Sequence, residues 1–274
     1  MIRTRSRAAT LIACEQRYRV IRITRADPPS LEQRSRENTF LKAIRDGGFM
    51  AVLETDGLVA GNGPFTVDCN DLRIEEKSIL GVLGRSGSGK STVIETIVGL
   101  HHPRKGRILI DGGQLHDRVS QIGFVPQSSA LWEYLSVLEN LRTFGRIYGV
   151  NRRELERRIG VILKRLDLEG HERKRINQLS GGMRRRADFA AGLIHMPQIL
   201  VLDEPFTGLD PELRSFLWDF LKEITQAGSA IMIASHMIED IERHATHFAL
   251  VADQNVHMIG RRELRAIFNR EGGL

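Results

Sequence analysis

Gly84-Arg85-Ser86-Gly87-Ser88-Gly89-Lys90-Ser91 has the spacing G-x-x-x-x-G-K-S and follows the apolar run Ile79–Leu83. Glycines at those places let the backbone turn tightly and aim N–H groups at phosphate oxygens. A helix is expected over 92–100, and its positive end points at the same anion. Lys90 would reach the β- and γ-phosphates, Ser91 would give its hydroxyl to Mg2+, and Thr92 continues the helix start. By itself the loop says only nucleoside triphosphate, which kinases, GTPases and motor ATPases share.

A second run, Ile199-Leu200-Val201-Leu202, is continuously apolar and ends in Asp203-Glu204-Pro205. A strand end beside a phosphate loop is where a further Mg2+ contact is needed. Asp203 suits that role through water, and Glu204 suits a general base that polarises the attacking water. Taken alone, the two carboxylates would serve equally as a helix cap or a solvated turn. Leu179-Ser180-Gly181-Gly182-Met183 precedes an amphipathic stretch over 183–194. Ser180 is a good N-cap and the glycines expose backbone N–H groups, so this is another helix start fit for an anion. Simple capping is the plain alternative. Gln127 follows the apolar segment Ile122–Val125 and His236 follows Ala230–Ala234. A lone glutamine there means little, and among nine histidines one at a strand end is more often a buried, hydrogen-bonded side chain.

These groups need a frame. Segments 79–83, 108–110, 122–125, 199–202, 230–234 and 248–251 read as strands. Several are apolar throughout, as strands buried on both faces are. Helical patterns such as Pro211–Gln226 lie between them, and strand–helix alternation predicts an α/β fold with a parallel or mixed sheet. The 274 residues, 41% hydrophobic and 27% charged, suffice for one large domain. No run approaches the 18 or so apolar residues of a membrane-spanning helix. The net charge is +6, but residues 1–50 hold 11 Lys and Arg against 5 Asp and Glu, and the rest carries 29 of each. This is a basic segment on a neutral domain, and a basic domain face for nucleic acid is not indicated. Residues 1–49 have three readings: a disordered basic arm, a contact with anionic lipid, or a mis-assigned start with the true one at Met50. Cys14 and Cys69 offer neither metal spacing nor a disulfide framework, which fits a reducing, cytosolic setting.

The order of motifs resembles the nucleotide-binding domain of ABC transporters. The phosphate loop stands as Walker A, Gln127 follows a strand in Phe124-Val125-Pro126-Gln127, and LSGGM at 179–183 is the signature. Walker B with its glutamate ends at 203–204, Gly208-Leu209-Asp210 forms a D-loop, and His236 closes a strand. The likeness runs from about Met50 to the C-terminus. It implies a P-loop NTPase core, an N-terminal antiparallel strand region and an inserted helical subdomain at about 128–195, with ATP and Mg2+ as ligands. It also implies that the signature serves the ATP of a partner chain, with Ser180 and Gly182 at its γ-phosphate. Two chains, as a homodimer or a heterodimer with another ABC ATPase, would then complete two sites. Gln127 would contact Mg2+ and report nucleotide state to the membrane permease subunits, His236 would hold the γ-phosphate, and Asp210 would link the two sites. Such a subunit sits in the cytoplasm, peripheral on the inner face of the cell membrane. The family's adenine-stacking aromatic falls, counting back from Lys90, near Ala60 and Gly61. No aromatic stands there, and Phe65 is the nearest.

The segment from Ala130 to Leu141, the run Phe144-Gly145-Arg146-Ile147-Tyr148-Gly149 and Met183-Arg184-Arg185-Arg186 are similar to exporter ATPases for drugs, lipids or polysaccharides. Trp132 and Tyr134 are candidates either for the permease face or for ordinary core. Soluble ABC ATPases acting on nucleic acid or ribosomes usually carry two such domains, long coiled coils or zinc-binding inserts, and none is seen. The signature argues against a P-loop kinase or GTPase, and no Asn-Lys-x-Asp guanine motif is present.

Overall fold

The structure, a computed structural model, describes residues 51–271. The readings of residues 1–49 fall outside the described residues. In chain order the strands are β1 (Ala51–Asn62), β2 (Phe65–Asp68), β3 (Arg73–Glu75), β4 (Ile79–Leu83), β5 (Lys105–Ile110), β6 (Gly113–Gln114), β7 (Ile122–Val125), β8 (Ile199–Asp203), β9 (Ala230–Ala234), β10 (His247–Ala252) and β11 (Asn255–Ile259). The helices are α1 (Lys90–Ile97), α2 (Leu115–Arg118), α3 (Val137–Ile147), α4 (Arg152–Arg165), α5 (Gly181–Leu193), α6 (Pro211–Gln226), α7 (Ile238–His244) and α8 (Arg261–Glu271).

All described strands join one sheet in the order β6-β5-β1-β2-β11-β10-β4-β9-β8-β7, with β3 on β1. From β10 to β7 neighbouring strands are parallel. The β1–β2, β1–β3, β1–β5 and β5–β6 pairs are antiparallel. The sheet is therefore mixed, and its antiparallel part is built mainly from the N-terminal strands.

The apolar runs are buried on both faces, as their lack of alternation predicts. In β4, β8 and β9 every residue is buried. Successive side chains still point to opposite faces. Ile79, Leu83, Leu200, Leu202, Ile231 and Ile233 enter one core with α3, α4, α5 and α6. Leu80, Val82, Ile199, Val201 and Met232 enter the other with α1 and β1.

Local chemistry starts the helices. Ser136 and Glu139 make a reciprocal capping box at α3. Asn151 caps α4, Ser180 caps α5, and Asp210 caps α6 with Pro211 in its first turn. Helix α5 begins two residues before the sequence pattern suggested, because the glycines of 181–182 are already helical behind the Ser180 cap. Helix α3 packs on α4 and α5. Trp132 turns inward on Phe144, ring centroids 5.2 Å apart, whereas Tyr134 is 74% exposed. Among the described residues, no helix is long and apolar enough to cross a membrane.

Candidate active site

In a parallel sheet all strands end on the same edge, and ligands gather outside those carboxyl ends. Here β4 runs into the phosphate loop, β7 into Pro126-Gln127, β8 into Glu204, and β9 into Ser235-His236. The neighbour order β4-β9-β8-β7 puts the four ends side by side. A cleft of about 520 Å³ lies over them. Ser86, Gly87, Gly89, Lys90, Ser91, Thr92, Gln127, Asp203, Glu204 and His236 line it, joined by Phe65 and Thr207.

The loop folds back on its own lysine. Lys90 Nζ donates to the carbonyl oxygens of Gly84, at 2.7 Å, and Arg85, at 3.1 Å. Burial pushes its pKa below the ordinary lysine value, while the nearby Glu204 and Asp203 pull it back. Gly89 has φ of +107°, and a Cβ there would sit 2.5 Å from Val67 and 2.8 Å from Phe65. Only glycine meets both demands. Ser88 Oγ is buried without a hydrogen-bond partner. A cation and a helix start beside one hollow suit a phosphate chain.

The acidic end of β8 supplies the opposite chemistry. Asp203 is buried, and burial raises its pKa above the usual carboxylate range; a hydrogen bond from Ser91 and the charge of Lys90 oppose this, and Glu204 and Glu95 add to it. Its Oδ1 is buried with no hydrogen-bond partner. The Asp203 carboxylate, the Ser91 hydroxyl and the Gln127 amide oxygen are hard oxygen donors at one place, a set that fits Mg2+. Among the described residues no cluster of three or more His, Cys, Asp or Glu gathers to hold a metal.

Glu204 takes φ of +43°, a backbone region unfavourable for a residue with a Cβ. Its N–H donates to the Ala234 carbonyl at 2.9 Å, so β9 holds the turn. This aims the carboxylate sideways along the sheet edge. Glu204 Oε2 lies 2.8 Å from His236 Nδ1 and accepts from Thr207 Oγ1 at 3.3 Å and Ser235 Oγ at 3.5 Å. The Glu204 side chain is 11% exposed and that of His236 is 61% exposed.

The residues 179–183 stand apart and do not line the cleft. Leu179 is buried, Ser180 and Gly181 are exposed, and Gly182 and Met183 are half-buried. Ser180 Oγ accepts from the Met183 N–H at 3.2 Å. Nothing lies within 4 Å of the Gly181 Cβ direction, so this helix start is open to solvent. Asp210 is also exposed and outside the cleft, accepting from the Leu213 N–H at 2.8 Å.

Of the lining residues, one escaped the sequence reading and one was named there only as the nearest aromatic to the expected position. Thr207 belongs to no motif considered there. Counting back from Lys90 pointed to Ala60 and Gly61, but the β1–β2 hairpin pairs Asn62 with Phe65 and carries the Phe65 ring onto Gly89. Hairpin pairing in the sequence could have shown this.

A family model described as ABC transporter matches residues 68–207, about half of the chain. The chain is 37% identical over 189 residues to a Nod factor export ATP-binding protein I from Cupriavidus metallidurans, covering 68% of this chain and 62% of that protein. It is 38% identical over 192 residues to a daunorubicin resistance ATP-binding protein from Streptomyces coeruleorubidus, covering 68% and 60%. The chain thus spans about three fifths of the length of these relatives. A solved structure of an ATP-binding subunit of an ABC transporter shares the fold with a TM-score of 0.71 at 28% identity, covering 81% of this chain and 95% of that one. With the family's model matching half of its residues and relatives more than a third identical over two thirds of its length, this chain belongs to the ABC transporter family.

Proposed function

We propose that this chain binds and hydrolyses ATP in the cleft over β4, β7, β8 and β9, and that it powers export through separate membrane permease subunits. The observation that carries the reading is the meeting of Lys90, Ser91, Gln127, Asp203, Glu204 and His236 in one cleft. The residues 84–92 cradle the phosphates, with Lys90 leaving its own loop carbonyls for phosphate oxygens. Ser91, Asp203 and Gln127 would hold Mg2+, directly or through water, and the bound ion would supply neutralisation of phosphate charge. Glu204 takes a proton from the water that attacks the γ-phosphorus, as the bond to the ADP oxygen breaks. His236 fixes the Glu204 carboxylate and meets the γ-phosphate.

The open helix start at Ser180 and the exposed Asp210 support a second role. They close over the ATP of a partner ABC ATPase chain, identical or not, so that ATP binding joins two chains and hydrolysis releases them. Exposed Tyr134 supports a permease-docking face on the helices of 128–195, and the names of the two relatives, for Nod factor export and daunorubicin resistance, support export as the direction. The place of work is then the cytoplasmic face of the membrane.

Capture of the tagged chain from detergent-solubilised native membranes tests the transport coupling. The expected companion is a multi-spanning permease. Ribosomal or DNA-repair companions with no membrane protein would contradict the reading.

A further inference from the structure

The Arg-rich run behind the signature holds one side chain that the proposed chemistry does not use. Arg185, in the second turn of α5, is buried. Its guanidinium meets four main-chain carbonyls. Nε donates to Pro205 at 2.9 Å, Nη1 to Pro126 at 2.8 Å, and Nη2 to Glu204 at 3.4 Å and Asp203 at 3.5 Å. Asp188, one turn on, places a carboxylate oxygen 3.9 Å from Nη1 and accepts from Ser129 Oγ at 2.7 Å. The planar fork of an arginine can serve several acceptors at once, and a lysine cannot copy that pattern.

The four carbonyls are not arbitrary ones. Pro126 precedes Gln127, and Ser129 follows it by two residues. Asp203, Glu204 and Pro205 form the turn in which Glu204 takes its left-handed backbone. From the geometry we infer that Arg185 is a positioning residue: it ties the signature helix to the two backbone segments that aim Gln127 and Glu204. The strained turn at Glu204 is held from one side by the Ala234 carbonyl and from the other by this guanidinium. Removing the fork leaves buried carbonyls unpaired and lets both segments relax. A movement of helix α5, such as a partner chain would cause at Ser180, reaches the hydrolytic carboxylate through the same side chain. This inference rests on the proposed ATPase function.

The test compares the full chain with Arg185→Gln and Arg185→Lys. ATP affinity, steady-state hydrolysis and amide hydrogen exchange are measured for each. The expected result is a kcat about tenfold to a hundredfold lower, ATP affinity close to that of the unaltered chain, and faster exchange in both peptides covering 122–130 and 199–209. A kcat and exchange like those of the unaltered chain would overturn the inference. So would an affinity loss as large as the loss of turnover. Should the glutamine variant fail to fold, the lysine variant decides, since it keeps the charge and loses the fork; full turnover in it overturns the inference. An unaltered chain that neither binds nor hydrolyses ATP would sink the proposed function instead. In that case the paired rise in exchange still reports on Arg185.

Discussion

Nδ1 of His236 lies 2.8 Å from Oε2 of Glu204, joining the residue after β9 to the residue after β8. The Thr207 and Ser235 hydroxyls reach the same oxygen. The proposed chemistry therefore assigns proton acceptance to Oε1. Replacing His236 with alanine removes the hydrogen bond that fixes the carboxylate plane. The expected loss is about a hundredfold in kcat, with a smaller loss of ATP affinity from the missing γ-phosphate contact. Turnover and equilibrium binding measured on the same variant check this, and full turnover would contradict it.

Ser180→Arg places a long cation at an exposed helix start that has open space around Gly181. The variant loses a cap worth about 1 kcal/mol and should still fold and bind ATP in its own cleft. In a hydrolysis-blocked Glu204→Gln background, light scattering should show an ATP-dependent dimer with Ser180 and a monomer with Arg. Dimerisation unaltered by the arginine would contradict the trans-site reading.

Phe65 lines the cleft beside Gly89, where an adenine ring would stack. Stacking of a base on an aromatic ring contributes about 1–3 kcal/mol, so Phe65→Leu should weaken ATP about fivefold or more. Inorganic tripolyphosphate, which has no base, should lose little. Equal losses for both ligands would assign Phe65 to packing of the loop alone.

His195 sets an acid limit on stability. The Tyr148 ring stacks on it at 3.7 Å, and its Nε2 donates to the Ile122 carbonyl at 3.1 Å. Its Nδ1 is buried without a partner, so a second proton would have no acceptor. Burial, opposed by the Ile122 carbonyl and reinforced by Arg158, pushes the pKa down from 6.5 to about 4. The unfolded chain therefore binds more protons between these values. Stability from neutral His195 is fully present above pH 6.5 and is lost as pH falls toward 4, by about 3 kcal/mol. Asp188, pushed up by burial to about 6, acts in the opposite sense, but it is common to both proteins in the comparison. Urea unfolding of His195→Phe at pH 7 and pH 4.5 should show a smaller acid loss than the parent chain. An identical acid loss would contradict the assignment.

Features carried by a short contiguous string were legible in the sequence. The phosphate loop, the Asp203-Glu204 strand end and the Ser180 cap each depend on neighbours within a few residues. The buried parallel strands were legible because their apolar runs are continuous. Features made by long-range backbone contact were not. Arg185 is one of three consecutive arginines, and nothing in the string marks it as the one that folds inward. Its partners are carbonyls 18–20 and 59 residues away, and carbonyls leave no trace in side-chain patterns. Phe65 was named only as the nearest aromatic, a few residues from the counted position, because linear counting ignores the hairpin that brings it back to Gly89. The adjacency of β4 and β10, distant in sequence, is likewise a product of sheet order.

The central claim is that Glu204 carries hydrolysis without carrying ATP binding. Phosphate release and ATP binding by the unaltered chain and by Glu204→Gln, measured side by side with Mg2+, test it most directly. The account predicts equal binding and a release rate lower by at least about a hundredfold in the variant. Release close to that of the unaltered chain would remove Glu204 as the base and contradict the account.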